Sequence, residues 1–445
     1  MWVNIDVVSN DKSVIFLPEK LASEYSSEVQ LCFGKRSSEA IVIASKDIKI
    51  QKENTFEKPL KIAITNKIKR RLQIPTGLTY KIKFNADKIE IGPVIGLLLG
   101  NRNHIYNKRY MVKYSDRCGI YKEVGGLLCA FSPRSIDWNN FLAYGLYYDP
   151  KDNEWKYGRF PIPSTIYRRD FHTDNETIKR LSFITEGKLF NSWRFNKFYF
   201  YKHLGKDKYL LKHLPLTELS LNYEQIKDFI DINIKTILKP INLSRGRGLI
   251  IINKEGGKYI VEDYRQRLPE KIILTEDNLK EFFDKNQMLF NNYLIQKQIL
   301  LAKIDGSPFD IRIVMQRNQK SQWKDMGIEC RVANKNTLVT NISRGGYALN
   351  IEEALKSAFP NITNDKDIKD YIDDLCYRIC QRLDETGQHF AEFGLDLGID
   401  EDKKIWIIEA NVFPSFKGFK TMDHETYLKI RYAPIQYSAS IAGFL

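Results

Sequence analysis

Cysteine is scarce. Six occur in 445 residues (Cys32, Cys118, Cys129, Cys330, Cys376 and Cys380), and no two are spaced Cys-x-x-Cys. That excludes a disulfide framework and the paired-cysteine zinc knuckle, and the thiols are expected to be reduced and mostly buried. Cys376 and Cys380 fall on one side of an expected helix with no His or further Cys nearby, so core packing is their expected role. The six histidines show no metal-type spacing, and no Ser-His-Asp or Cys-His arrangement for covalent catalysis is recognisable. No run of about 18 apolar residues occurs. The opening Met1-Trp2-Val3-Asn4-Ile5-Asp6 lacks a basic leader followed by an apolar stretch, so a soluble cytoplasmic protein is expected. There is no internal repeat and no low-complexity segment.

What is present is a chain of 52.1 kDa, 43% hydrophobic and 28% charged, enough for two or three cores. Its 69 basic and 55 acidic residues give a formal charge of +14, which calls for an acidic or phosphate-bearing partner. The charge is uneven: residues 351–410 hold 15 acidic and 7 basic side chains, a net of −8. A basic body facing an acidic segment suits a metal-bound polyphosphate better than a uniform nucleic-acid groove.

Residues 1 to about 90 alternate apolar and polar positions in short runs, such as Glu28 to Phe33 and Ala40 to Ala44, which predicts a small β-rich module. The run Ile91-Gly92-Pro93-Val94-Ile95-Gly96-Leu97-Leu98-Leu99-Gly100 then predicts a strand buried on both faces of an α/β sheet. Ser115 to Leu128 is expected to be helical despite Gly119, Gly125 and Gly126, and Gly158 to Arg169 to lead into another short strand. From about Asn191 to the C-terminus, helical and strand patterns alternate as in one larger α+β unit.

The chemistry concentrates near the end. Phe390 to Asp400 and Ile405 to Ser415 read as a hairpin joined by Glu401-Asp402-Lys403-Lys404. Asp396 lies in its first strand, and Glu409 and Asn411, two apart on the second, share a face. Three oxygen donors can then converge, the donor type that Mg²⁺ takes before completing its shell with water and phosphate. Carboxylates among Ile407, Ile408, Ala410 and Val412 are costly unless paired, which argues against a plain solvent face. Earlier, the strand-like Ile237-Leu238-Lys239-Pro240 precedes Ser244-Arg245-Gly246-Arg247-Gly248, a glycine turn whose N–H groups can approach a triphosphate. It is no Walker loop, which needs Gly-Lys-Ser/Thr at a helix start, and alone it reads equally as a surface hairpin. Tyr293 to Ile299 is strand-like and can line a base pocket, and Asp310 and Arg312 share a face on Ser307 to Met315, where a buried ion pair between them is natural.

Together and in this order, these features resemble the ATP-grasp superfamily. The resemblance implies an α+β ATP-grasp fold over residues 191–445, two subdomains clasping ATP, preceded by a pre-ATP-grasp α/β domain at 91–190 and the N-terminal β-rich module at 1–90. It implies that Lys197, in Phe195-Asn196-Lys197-Phe198 at a helix start, and Lys239 hold ATP phosphates, and that Ser244, Arg245, Gly246 and Gly248 belong to the phosphate-covering loop. Gln296, Lys297 and Gln298 match the hinge beside adenine. Gln296 stands where many members carry a glutamate, a place an amide oxygen also serves. Asp310 belongs with the nucleotide-binding residues. Asp396, Glu409 and Asn411 match the ligands of Mg²⁺, and the resemblance implies two ions with Glu409 bridging them. Arg312, Arg331 and Arg344 are candidates for phosphate or substrate contacts, and Asn341 opens an Asn-x-x-x-Gly-Gly loop. The N-terminal motifs Ile91 to Gly96, Phe131-Ser132-Pro133-Arg134 and Phe160-Pro161-Ile162-Pro163 with Tyr167-Arg168-Arg169 resemble the YheC/YheD branch, described as endospore-coat-associated, which implies a spore association.

The resemblance implies an ATP- and Mg²⁺-dependent carboxylate–amine ligase that forms an amide through an acyl phosphate. Its partners are ATP, a carboxylate on a peptide, amino acid or protein terminus, and an amine. The alternatives are an ATP-grasp kinase and a non-catalytic nucleotide-binding coat-assembly protein. Arg168 and Arg169 are further candidates for clamping a substrate carboxylate, with solvated surface charge the favoured role for Arg169.

Overall fold

The computed structural model describes residues 1–25, 28–48, 50, 53–243, 247–266, 269–334, 345–361 and 365–445. Within the first 92 residues most strands alternate buried and solvent-facing side chains, which marks sheet with one dry face. Seven of them close into a barrel in the order Trp2–Val8, Leu60–Thr65, Val14–Pro18, Arg36–Ser45, Glu28–Phe33, Lys88–Gly92 and Thr79–Phe84, the last pairing back onto the first. Closure leaves no open edge for another chain. Leu31, Phe33, Ile62 and Tyr80 fill its interior.

The second sheet takes Val94–Leu98, buried at all of its residues, and sets it between Leu127–Asp137 and Thr165–Arg168, parallel to both. Only a strand covered on both faces tolerates so unbroken an apolar run. Leu142–Asp149 and Glu154–Pro161 extend the sheet as a hairpin. The helix expected over Ser115 to Leu128 does not form as one piece. A 3-10 turn at Asp116–Ile120 and one helical turn at Tyr121–Val124 end at Gly125 (φ 66°) and Gly126 (φ 78°), and Leu127 already begins a strand. A Cβ on Gly126 would stand 2.1 Å from the Pro93 carbonyl oxygen, so two strands come together here only because the residue has no side chain.

The third sheet is antiparallel throughout, in the order Thr217–Leu219, Tyr293–Lys297, Lys235–Pro240, Ile250–Glu255, Lys258–Asp263 and Glu270–Leu274. Helices Tyr223–Asn233 and Glu276–Lys285 supply Ile226, Phe229, Leu279 and Phe283 to the core beneath it. The fourth sheet orders Tyr347–Leu349, Trp323–Val332, Ser307–Arg317, Glu392–Ile399 and Ile405–Asn411. Asp365–Asp384 and Lys197–Leu204 pack against it, with Cys376 and Cys380 buried in that core. The six cysteines are free thiols, and all but the partly exposed Cys32 are buried. His424–Ile441 then returns to the second sheet, where Ile435 and Tyr437 join Ile95, Leu97 and Tyr167 in one core. The whole is α+β, and no helix among the described residues is long and apolar enough to cross a membrane.

The Gly126 approach gives a direct test. Gly126→Ala meets both a left-handed backbone and a carbonyl oxygen, and should destabilise the protein by roughly 3 kcal/mol. The apparent melting temperature in thermal unfolding should fall by several degrees, and an unchanged value would show that Pro93 can yield.

Candidate active site

The fourth sheet carries a row of charge across four adjacent strands. Glu329 pairs in register with Arg312, Arg312 with Asp396, and Asp396 with Glu409. Directly opposed side chains are the close neighbours of a sheet. Arg312 accordingly grips Asp396 from two nitrogens, Nε to Oδ1 at 2.6 Å and Nη2 to Oδ2 at 2.7 Å. Arg331 grips Asp310 in the same way at 2.7 and 2.6 Å and also reaches Asp396 Oδ2 at 3.2 Å. The pair expected between Asp310 and Arg312 is therefore exchanged for cross-strand partners, because residues two apart along one strand lie farther apart than register partners. Arg312 and Arg331 have their guanidinium edges turned to aspartates. Buried pairs of this kind cost about 3–5 kcal/mol to break from one side.

Glu329 is the odd charge of the cluster. Two guanidiniums are already balanced by Asp310 and Asp396, the Glu329 side chain is buried, and its Oε2 has no hydrogen-bond partner. Burial pushes its carboxyl up to about 7 even though Arg312 and Arg331 pull the other way. Nothing in the local sequence singles Glu329 out except its register with Arg312, which needs the pairing to be known.

A β-bulge follows Asp396: it faces Glu409, whereas Leu397 faces Ile407, so Ile408 is the extra residue. Beyond it, Asn411 donates its amide to Glu409 Oε1 at 2.8 Å and lies 3.5 Å from Asp396 Oδ2. The three expected metal ligands are thus brought together. Glu409 has no salt bridge among the described residues and lines, with Asn411 and Lys197, a cavity of about 380 Å³. No cluster of three His, Cys, Asp or Glu suited to a metal occurs among the described residues. A cation here would draw on Glu409, the Asn411 amide oxygen and what lone pairs Asp396 retains beside its arginines, a hard-oxygen set that fits Mg²⁺ with water and phosphate completing the shell.

Lys197 opens its helix after the Asn196 cap, and its ammonium donates to the Pro240 carbonyl at 3.3 Å and to the Leu243 carbonyl. Burial lowers its pKa, with Glu409 opposing. Lys239, from the third sheet, is pushed down to about 8 by burial, again with Glu409 opposing and Lys197 adding to the fall. Glu409 thus favours the charged form of two ammoniums from different elements, of which Lys197 lines the cavity with it. Gly248 (φ 73°) packs over Pro240, where a Cβ would come within 3.0 Å of the ring.

The hinge residues lie on and just after the strand Tyr293–Lys297, which pairs with Lys235–Pro240. Gln296 is buried in the sheet with its amide donating to Thr217 Oγ1 at 2.7 Å, and the N–H groups of Lys297 and Gln298 donate to the Leu216 and Lys235 carbonyls. None of the three lines the cavity, whose apolar wall comes instead from Phe171, Trp193, Phe195, Tyr199 and Phe413. Arg194 stacks on Phe171, which meets Phe413 edge to face. The aromatic run from Phe190 to Phe200 was the available signal for this wall. Ser244, Arg245, Gly246, Asn341 and Arg344 lie outside the described residues.

Arg168 and Arg169 are not clamps facing a cleft, and Arg169 is not solvated. Arg168 donates to Asp170 and to the Ser192 carbonyl. Arg169 meets the fully buried Glu392, the Tyr167 hydroxyl and the Pro414 carbonyl. Burial lowers the Arg169 pKa, but Glu392 and Tyr167 outweigh it and raise it.

Because the folded protein raises the Glu329 carboxyl above its ordinary 4.5, the stability it contributes is present at low pH and lost as pH climbs through about 7. Glu329→Gln, neutral at every pH, should therefore raise the apparent melting temperature at pH 8, with the gain fading toward pH 4.5. An equal shift at both pH values would remove the titration from the explanation.

The chain is 24% identical to the endospore coat-associated protein YheD of Bacillus subtilis (strain 168), over 79% of each protein. It is 25% identical to YheC of the same strain, over 71% of this chain and 88% of YheC. Among solved structures, the ATP-grasp ligase PsnB complexed with precursor peptide PsnA2 and AMPPNP is similar at 14% identity and a TM-score of 0.44, covering 79% of this chain and 98% of PsnB. Residues 186–441, more than half of the chain, match the family described as YheC/D like ATP-grasp, and the chain belongs to that family.

Proposed function

We propose that the protein is an ATP- and Mg²⁺-dependent carboxylate–amine ligase acting on a peptide, amino acid or protein terminus. The observation that carries this reading is the placement of Lys197, Glu409 and Asn411 on one cavity of about 380 Å³, with the buried Lys239 close enough for Glu409 to act on its charge. Buried ammoniums with lowered pKa values are poised for a polyanion, which restores their preference for the charged form. Lys197 and Lys239 hold the phosphates, and the aromatic wall excludes water. Glu409 and Asn411, with Asp396 held in place by Arg312, would hold Mg²⁺, which when bound neutralises charge on the β- and γ-phosphates.

In this reading a substrate carboxylate oxygen attacks the γ-phosphorus, the bond to the β-bridging oxygen breaks, and ADP leaves. The amine nitrogen then attacks the acyl carbon and gives up a proton as inorganic phosphate departs. No protein nucleophile is required, in keeping with the lack of a recognisable triad.

Lys239→Met and Glu409→Gln should each lower acceptor-stimulated ADP release by roughly 100-fold while leaving the circular dichroism spectrum unchanged. Turnover that survives both substitutions would refute the assignment. Nucleotide binding should also raise the Lys239 pKa, so affinity for Mg²⁺–AMPPNP should fall as pH rises through about 8. Calorimetry across that range should show the fall in the natural protein and its absence in Lys239→Met.

A further inference from the structure

Arg117 is among the most deeply buried side chains of the protein, 1% exposed, and its Nε and Nη1 have no hydrogen-bond partner. It sits on the 3-10 turn Asp116–Ile120, its guanidinium 5.0 Å from the Tyr114 ring centroid and 5.9 Å from that of Tyr167. Aromatic faces steady a cation but do not use its N–H groups. An arginine taken out of water with its donors unused is costly, and each planar edge of this one includes an unused N–H.

Its neighbours add positive charge. Arg431, on the helix His424–Ile441, has its pKa lowered by burial and then by Arg117, and Arg169 acts on it in the same sense. Two carboxylates serve the three guanidiniums. Glu392 is taken up by Arg169, Tyr167 and Gln316, and Asp116 lies 3.8 Å from Arg431 while accepting from Tyr427. Among the described residues the cluster therefore carries one positive charge more than its carboxylates neutralise.

Its place relative to the nucleotide cavity is defined by the loop after Asn411. Arg169 donates to the Pro414 carbonyl, and Arg169 and Arg431 lie over the Phe416 ring at 5.1 and 5.7 Å. Pro414 itself covers Gly394, where a Cβ would come within 2.6 Å of the proline ring, and Gly394 is the register partner of Asn411. One short loop thus joins the arginine cluster to the strand that carries Glu409.

The geometry points to a second anion site, built on Arg117 and Arg431, that takes a carboxylate of the molecule on which the nucleotide site acts. A planar carboxylate matches a guanidinium edge in bidentate fashion and supplies one negative charge, the amount the cluster leaves unneutralised. This inference rests on the ligase reading for the identity of the ligand, and its test separates the two.

Full-length protein is titrated with succinate and, separately, with inorganic phosphate, by calorimetry and thermal shift, with and without saturating Mg²⁺–AMPPNP. The expected result is succinate binding that weakens roughly tenfold or more in both Arg117→Gln and Arg431→Gln while Mg²⁺–AMPPNP affinity stays as in the natural protein. Succinate binding unchanged in Arg431→Gln, the less buried position, overturns the proposal even if Arg117→Gln fails to fold. So does no succinate binding, or binding of phosphate alone. Failure of the natural protein to bind Mg²⁺–AMPPNP would instead sink the ligase reading and leave the anion result to stand by itself.

Discussion

A row of charge laid across a buried sheet is the constraint on which the site depends. Glu329, Arg312, Asp396 and Glu409 occupy facing positions on four neighbouring strands, and Asp310 with Arg331 forms a second pair beside them. Like charges such as Asp396 and Glu409 repel when directly opposed. Arg312 and Arg331 relieve that repulsion by gripping Asp396, and Glu409 is left without an arginine and lines the cavity with Lys197. The ion pairs thus do more for the placement of a free carboxylate than for net stability, since a buried pair gains little over apolar packing.

The same division of labour recurs one layer away. Glu392 ties the second sheet to the fourth through Tyr167, Arg169 and Gln316. The C-terminal helix packs across both, so the loop Val412 to Phe416 is held between them. Both buried networks therefore converge on the short segment that follows the proposed metal ligands.

That Glu409 and Asn411 share a face was legible because side chains two apart on a strand point the same way, whereas the bulge at Ile408, which brings Asp396 opposite Glu409, is not calculable from spacing. Lys239, at a strand end before a glycine turn, was legible locally, whereas Lys197 was marked only by the family resemblance. What spacing could not give was partner choice. Asp310 and Arg312 were matched to each other along one strand, whereas lateral register decides the pairs, and register is a property of the assembled sheet. Arg117 was invisible for a related reason: its burial comes from a helix more than 300 residues later. The broken helix after Ser115 turned on a contact between Gly126 and Pro93 that no local propensity contains.

The central claim is that two lysines and one carboxylate from separate elements serve a single magnesium nucleotide. A crystal structure with Mg²⁺ and AMPPNP tests it most directly. The account predicts the terminal phosphates between the Lys197 and Lys239 ammoniums, with the ion on Glu409 and Asn411. An analogue bound elsewhere, or one whose phosphates contact neither lysine, would contradict it.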